Sequence, residues 1–373
     1  MKIGLALGAG AARGWTHIGI IEALEKLGVK IDVVAGCSIG AYVGAAYASG
    51  KLEGLKEWAC SLSDWQVLAL MGVGLRRGGI ASGQKVFDKL ASEFCESTYE
   101  DMLKPFAAVA TDLYTGREVV FNSGPIGDTI QASCAIPALF APVAHGDRWL
   151  VDGAVVNPVP VNLCRQLGAD FVIAVNLNAD FRPLRLEKLR QDHEENQRKT
   201  EDFFTKSQNV LRQWFSPDNK EEKALEKKDE KDSVSAGNVK TEEGIASDVI
   251  EKVEEELTEV PAKVNKRNPP GIMSVMSSSL EILQARVTRS RLAGDPPDIL
   301  IEPQLTDVGI MEFHRAEELC AKGEETIARL AEQIRYQLLN KKKDLFIIFF
   351  HGFMSDITGE KPSTFRKYCG KKK

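Results

Sequence analysis

The chain has 373 residues, 43% of them apolar, and a formal net charge of −5. That length suits one large α/β domain with appendages better than two equal domains, and the mild charge, with no basic stripe interleaved with aromatics, argues against nucleic acid as a partner. Seven cysteines, an odd number without a C-x-x-C pair, suggest neither zinc nor redox work and read as reduced thiols of a cytoplasmic protein.

The first predicted strand is Ile3 to Leu7. A cleaved leader is not expected there: Lys2 alone makes a poor charged n-region, and three glycines break the apolar stretch. A glycine-rich loop follows, Gly8-Ala9-Gly10-Ala11-Ala12-Arg13-Gly14, then a helix whose apolar stripe (Ile18, Ile21, Ala23, Leu24, Leu27) ends at Gly28. The second strand, around 31–35, runs into Gly36-Cys37-Ser38-Ile39-Gly40 and a small-residue helix at 41–49. An apolar stretch at 65–75 (Trp65, Val67, Leu68, Leu70, Met71, Val73, Leu75), bounded by Gly72, Gly74, Gly78 and Gly79, reads either as a lid or apolar groove or as an ordinary surface helix and loop. Further strands are expected at 106–111, 118–122, 149–151, 171–176 and 298–301, and helices at 84–95, 127–134, 159–167, 274–293 and 312–339. This alternation predicts a mostly parallel sheet covered on both faces.

Between 182 and 270 the character changes. Residues 216–270 hold no aromatic, and 218–232 carries seven acids against five lysines, so this stretch reads as a disordered or loosely helical insertion in one domain spanning 1–340. Just ahead of it, Phe203, Phe204, Val210, Leu211, Trp214 and Phe215 share one helical face, suited to packing or to peripheral membrane contact through 199–215. The tail, 341–373, holds nine bases and three acids around LFIIFFHGFM, too short to span a bilayer. It reads as a second peripheral contact with an anionic inner membrane surface, or as a poorly ordered extension.

The chemistry-bearing residues fall in three places. G-x-S-x-G reads as a strained strand-to-helix turn, with near side-chain-free neighbours at Gly36 and Gly40 and the Ser38 hydroxyl clear of the sheet, or as a plain glycine-rich turn. The glycine loop at 8–14 reads as a dinucleotide cradle or as amides forming an oxyanion hole. A nucleotide needs an acid at the end of the second strand, and Ala35-Gly36 stand there instead. A serine also needs a base. Of the five histidines (17, 145, 193, 314, 351) none announces itself, His145 being the least dismissible. Asp152-Gly153-Ala154 ends the strand at 149–151, which places its carboxylate at the same sheet edge as Ser38 if the two strands run parallel. Taken alone, an Asp-Gly pair is a turn.

The order G-x-G-x-x-R-G (8–14), G-x-S-x-G (36–40) and D-G-A (152–154) resembles the patatin-like phospholipase family. The stretches GLALGAGAARGWTHIGIIEAL, VAGCSIGAYVGAAYA, ASCAIPALFAPV, LVDGAVVNPVP and AGDPPDILI are similar to its bacterial RssA-type members, related to the neuropathy target esterases. The resemblance covers 1–180 and 272–335 and implies a three-layer α/β/α sandwich and a lipid or ester substrate. It implies Ser38 as nucleophile, Asp152 as its base, the Gly10 and Ala11 amides as oxyanion donors and Arg13 as the residue fixing the loop. No metal and no cofactor are implied. Ala9 and Ala11 depart from the family pattern, where many members have glycine. Two other readings stay open at this point: a regulatory or scaffold protein with little turnover, and acyl transfer to an acceptor other than water. The sequence does not give an oligomeric state.

Overall fold

The computed structural model describes residues 1–179 and 272–358, apart from Gly72, Arg77, Gly78, Ser82 and Thr306. The amphipathic stretch at 199–215 and the polar insertion at 216–270 lie outside the described residues. The described residues on either side of that segment belong to one compact unit.

In chain order, β1 (Ile3–Leu7) leads through the glycine loop and a 3-10 turn (Ala11–Trp15) to α1 (Thr16–Lys26), and β2 (Val33–Cys37) passes directly into α2 (Ile39–Ala48). Then come α3 (Leu52–Cys60), α4 (Asp64–Met71), β3 (Val73–Arg76), β4 (Gly79–Ala81) and α5 (Gln84–Lys89). β5 (Phe106–Asp112) and β6 (Glu118–Phe121) form a hairpin, followed by α6 (Gly127–Ser133), β7 (Ala138–Phe140), β8 (Val143–His145) and β9 (Arg148–Asp152). The first part closes with α7 (Val161–Gln166) and β10 (Phe171–Val175); α8 (Ile272–Gly294), β11 (Ile299–Ile301) and α9 (Ala316–Thr358) complete the fold.

Eight strands make the main sheet, in the order β11-β10-β1-β2-β5-β9-β8, with β6 also on β5. The first five in that order are mutually parallel, whereas β6, β8 and β9 pair antiparallel. Alternate residues of each strand feed two separate cores. Leu5 and Leu7, Val34, Phe106 and Ala108 and Ile173 face α1, α2 and α9 on one side. Ala6, Val33 and Ala35, Ala107, Val109 and Val172 face α7 and Leu292 of α8 on the other. The strands of a sheet buried on both faces are apolar throughout, which is why β1, β2, β5 and β10 read as continuous runs and not as alternations. The result is a three-layer α/β/α sandwich.

The edge of β5 that faces β2 carries a second strand. The Val34 amide bonds the Pro105 carbonyl at 3.0 Å, and the Leu113 amide bonds the Trp149 carbonyl at 2.8 Å. Both partners are odd-numbered residues of one extended segment, whose main-chain groups therefore point to the same side, while the even-numbered Asp112 donates to Arg117 on the β6 side at 2.9 Å. So β2 and β9 lie end to end along one edge of β5. Cys37 is opposite Val109, and Asp152 is opposite Ala110.

Several elements differ from the sequence reading. The helix expected at 84–95 is α5 followed by a π turn at Leu90–Phe94. The helix expected to end at 339 continues as backbone to Thr358, because no proline interrupts it and the lysines at 341–343 are good helix formers. β3, β4, β7 and β8 were not expected, since strands of three or four residues are too short to show a period. Among the described residues no helix is long and apolar enough to cross a membrane.

Candidate active site

β2 ends in small residues, and the chain must turn at once from strand to helix. Ser38 carries that turn at φ 55 and ψ −127. A non-glycine residue held at positive φ costs on the order of 1–3 kcal/mol, so its surroundings must fix it. They do so through both main-chain groups: the Ser38 amide donates to Ser133 Oγ at 2.9 Å, and its carbonyl accepts from Ala41 at 2.8 Å and Tyr42 at 3.1 Å. The flanking glycines answer to space. A Cβ on Gly36 would lie 2.4 Å from the Gly40 carbonyl oxygen, and one on Gly40 would lie 2.2 Å from that of Leu7.

Asp152 comes from the opposite direction. The condition of parallel strands is not met, because β9 is antiparallel to β5 while β2 is parallel to it. The carboxylate instead arrives head-on at the end of β2, and Ser38 Oγ donates to Asp152 Oδ2 at 2.6 Å. Three contacts fix the aspartate: its amide bonds the Ala135 carbonyl at 2.9 Å, its carbonyl accepts from Thr111 Oγ1 at 2.9 Å, and its Oδ1 accepts from the Ala154 amide at 2.8 Å. Gly153 and Ala154 open the 3-10 turn that supplies this last donor. Burial pushes the Asp152 carboxyl up to about 7, against the opposing pull of the bonds from Ser38 and Ala154.

No described histidine takes the place of that carboxylate. His17 is buried with Nε2 2.8 Å from the Gly8 carbonyl oxygen, and desolvation lowers its pKa to about 4. His145 is exposed and meets the ring of Phe121 edge-on; His314 pairs with Asp64. His193 and the side chain of His351 lie outside the described residues. Cys37, beside the serine, is fully buried on the α7 side of the sheet, and burial raises its thiol well above the ordinary range.

The glycine loop lies against the same serine. The Gly8 amide bonds the Val175 carbonyl at 3.0 Å, that of Ala9 the Pro158 carbonyl at 2.9 Å, and that of Ala12 the Ile310 carbonyl at 3.1 Å. The Gly10 and Ala11 amides between them have no backbone partner among the described residues, and both residues border a groove with Ser38. Ala11 sits in the left-handed region at φ 48. Arg13 ties the loop down with Nε to the Val308 carbonyl at 3.0 Å, Nη1 to Asn178 Oδ1 at 3.3 Å and Nη2 to Glu281 Oε1 at 3.4 Å. Gly14 packs against Ile39 at the start of α2.

Two grooves meet at Ser38, Ala11 and Ile136. One, of about 610 Å³, is lined by aromatic rings that include Trp15, Tyr42, Trp58 and Phe87. Trp15 touches both Tyr42 and Trp58 edge-to-face, with centroids 6.3 Å apart in each pair. Val67 and Leu70 of α4 border this groove, while Trp65 points to solvent, 70% exposed. The other, of about 700 Å³, runs past Asp152 to Asn178 and to Glu281 and Gln284 of α8. Among the described residues no group of three His, Cys, Asp or Glu side chains is placed to hold a metal ion.

Sequence reasoning assigned no role to Ser133, Thr111, Asn178, Glu281 or Gln284. Ser133 belongs to the stretch ASCAIPALFAPV that carries the resemblance, but nothing in its local pattern marks it as the partner of the Ser38 amide.

The patatin-like phospholipase family model matches residues 5–165. An uncharacterized NTE family protein of Mycobacterium tuberculosis is 32% identical over 86% of this chain and 89% of its own. Human patatin-like phospholipase domain-containing protein 6 is 30% identical over 48% of this chain and 13% of its own length, and Drosophila neuropathy target esterase sws is 28% identical over 48% and 13%. A crystal structure of VipD from Legionella pneumophila is similar at a TM-score of 0.32 and 13% identity, over 97% of this chain and 81% of that one. With an elbow serine at the end of β2, a glycine loop beside it and a homologue matched along almost its entire length, the chain belongs to the patatin-like phospholipase family, among the proteins related to neuropathy target esterase.

Proposed function

We propose that the protein is a serine esterase acting on lipid esters, in the manner of a phospholipase A or lysophospholipase, with Ser38 as nucleophile and Asp152 as its only base. The observation that carries this reading is the 2.6 Å hydrogen bond from Ser38 Oγ to Asp152 Oδ2 at the junction of two grooves. Proton transfer needs the two heavy atoms within about 2.6–3.2 Å, and the pair already meets that condition.

The chemistry follows from the environment. Ser38 Oγ attacks the ester carbonyl while its proton passes to Asp152 Oδ2. Burial disfavours the charged carboxylate, so the aspartate accepts a proton near neutral pH, where an exposed one with a pKa of about 3.9 would be a feeble base. The charge moves to the carbonyl oxygen, for which the Gly10 and Ala11 amides are the donors. Two donors aimed at a developing oxyanion are each worth about 3–4 kcal/mol by the cost of removing one. Asp152 then returns its proton to the departing alcohol, and in the second half it takes a proton from the water that cleaves the acyl-enzyme. The dinucleotide alternative for the glycine loop finds no support, since the Ser38–Asp152 pair occupies the space beside it. The protein does not need a triad histidine in this scheme: the carboxylate touches the hydroxyl directly.

Incubation with a fluorophosphonate probe and a short-chain p-nitrophenyl ester, beside a Ser38→Ala control, tests the reading. Labelling and turnover that both vanish in the control are expected. Turnover that survives it contradicts the assignment.

A further inference from the structure

An ester has two halves, and two grooves of different chemistry meet at Ser38. We infer that the α8 groove is the subsite for the alcohol half of the ester, and that Gln284 and Glu281 recognise free hydroxyl groups on it. This inference rests on the reading of Ser38 as the nucleophile and goes on to say what sits on each side of the scissile bond.

The assignment follows from the lining. The aromatic groove offers a substrate little beyond hydrocarbon: apart from Ser38 and the Cys134 thiol, its polar side-chain atoms belong to aromatic residues, of which the Tyr42 hydroxyl already donates to the Val86 carbonyl at 3.1 Å and Trp15 Nε1 to the Phe313 carbonyl at 3.0 Å. A hydroxyl-bearing alcohol buried there would leave its polar groups unpaired, at a cost of about 1–3 kcal/mol each. An acyl chain loses nothing there. The α8 groove is the one with hydrogen-bonding side chains along it.

On α8, Glu281 and Gln284 are three residues apart and so share one face of the helix, which borders the groove. Their free capacity is complementary. Glu281 Oε1 accepts from Arg13, and Oε2 has no partner among the described residues. Gln284 Oε1 accepts from Asn178 Nδ2 at 3.5 Å, which orients the amide and leaves the Nε2 donors without a partner among the described residues. A carboxylate acceptor beside an amide donor suits a hydroxyl group, which gives one hydrogen bond and takes another. Arg13 holds the Glu281 carboxylate in place on this face. Arg13 also belongs to the glycine loop, so the subsite and the oxyanion donors share one anchor.

The test compares ligands that differ in hydroxyl groups alone. 1-O-Hexylglycerol and hexyl propyl ether carry the same chain and the same ether oxygen but cannot be turned over, so their binding, read from the fluorescence of Trp15 and Trp58, does not depend on catalysis. The intact protein is expected to bind 1-O-hexylglycerol about tenfold more tightly, and Gln284→Leu, of similar size, is expected to bring the two within about twofold. Gln284→Ala serves as a second variant with the same expectation. In turnover, the glyceryl hexanoate to propyl hexanoate ratio of kcat/KM falls by the same factor in both variants. Equal binding of the two ethers by the intact protein, or a preference that survives both substitutions, overturns the inference. Failure of the catalytic reading shows elsewhere, as absent Ser38-dependent fluorophosphonate labelling, so the two are told apart.

Discussion

Ser38 and Asp152 are 114 positions apart in the chain, yet they share a hydrogen bond of 2.6 Å because the strands that carry them run towards each other along one edge of β5. The two strand ends face adjacent residues, Val109 and Ala110, so the register of a single strand sets the distance between hydroxyl and carboxylate. The main chain on each side is held by the Ser133 hydroxyl and the Ala135 carbonyl, which lie two residues apart at the end of α6.

The raised carboxyl of Asp152 predicts a pH profile. With a folded pKa of about 7, the proposed base is protonated below neutrality, and kcat/KM should rise about tenfold per pH unit below 7 and level off above it. Stopped assays with an ester of uncharged alcohol from pH 5 to pH 9 check this; a profile flat from pH 5 upwards would mean that a different group is the base.

Stability should move in the opposite direction. A carboxyl whose folded pKa lies above its unfolded value of about 3.9 binds more protons in the native state between the two values, so folding stability falls as pH rises through that window and stays lower above pH 7. The slope is up to about 1.4 kcal/mol per pH unit from this one group. Asp152→Asn removes the burden of the buried charge, so the variant should gain over the parent in urea melts at pH 8 and show little gain at pH 4, while losing activity at both.

Ser133→Ala removes the acceptor of the Ser38 amide and leaves a buried donor unpaired at a residue that is already strained. A loss of about 1–3 kcal/mol in denaturant unfolding is expected, with slower fluorophosphonate labelling of Ser38. Ser133→Thr, which keeps the oxygen, should recover part of both.

At Ala11 two effects oppose each other. Glycine relieves a left-handed strain of about 1–2 kcal/mol, while its freedom in the unfolded chain costs about 0.4–1 kcal/mol. Ala11→Gly should therefore stabilise by between about 0 and 1.6 kcal/mol relative to the parent. Thermal melts check the sign.

Val67 borders the aromatic groove and is buried. Val67→Phe fills space that an acyl chain would occupy, so the preferred chain in a p-nitrophenyl ester series should shorten; an unchanged chain-length profile would place the acyl chain elsewhere.

Much of this site was legible in the sequence because its signals are local. Gly36 and Gly40 flank a serine at a strand's end, and the reason is steric: either Cβ would run into a carbonyl oxygen. The buried strands announced themselves as apolar runs. The direction of β9 was not legible, since an Asp-Gly at a strand's end looks the same whether the strand runs with its neighbour or against it. Ser133 left no trace because a single serine near the end of a short helix has no periodicity. Glu281 and Gln284 were hidden by distance: they lie more than a hundred residues beyond Asp152, on a helix in which no motif marks them as neighbours of the site.

Activation of Ser38 by Asp152 without a histidine is the proposed step on which the chemistry rests. Mass spectrometry of the fluorophosphonate adduct, followed as a rate against pH in the parent and in Asp152→Asn, tests it most directly. Adduct is expected on the peptide that contains Ser38, at a rate that rises with a midpoint near pH 7 and falls by at least a hundredfold, about 2.7 kcal/mol, in Asp152→Asn. Adduct on another residue, or labelling of Ser38 that proceeds unchanged in Asp152→Asn, would contradict it.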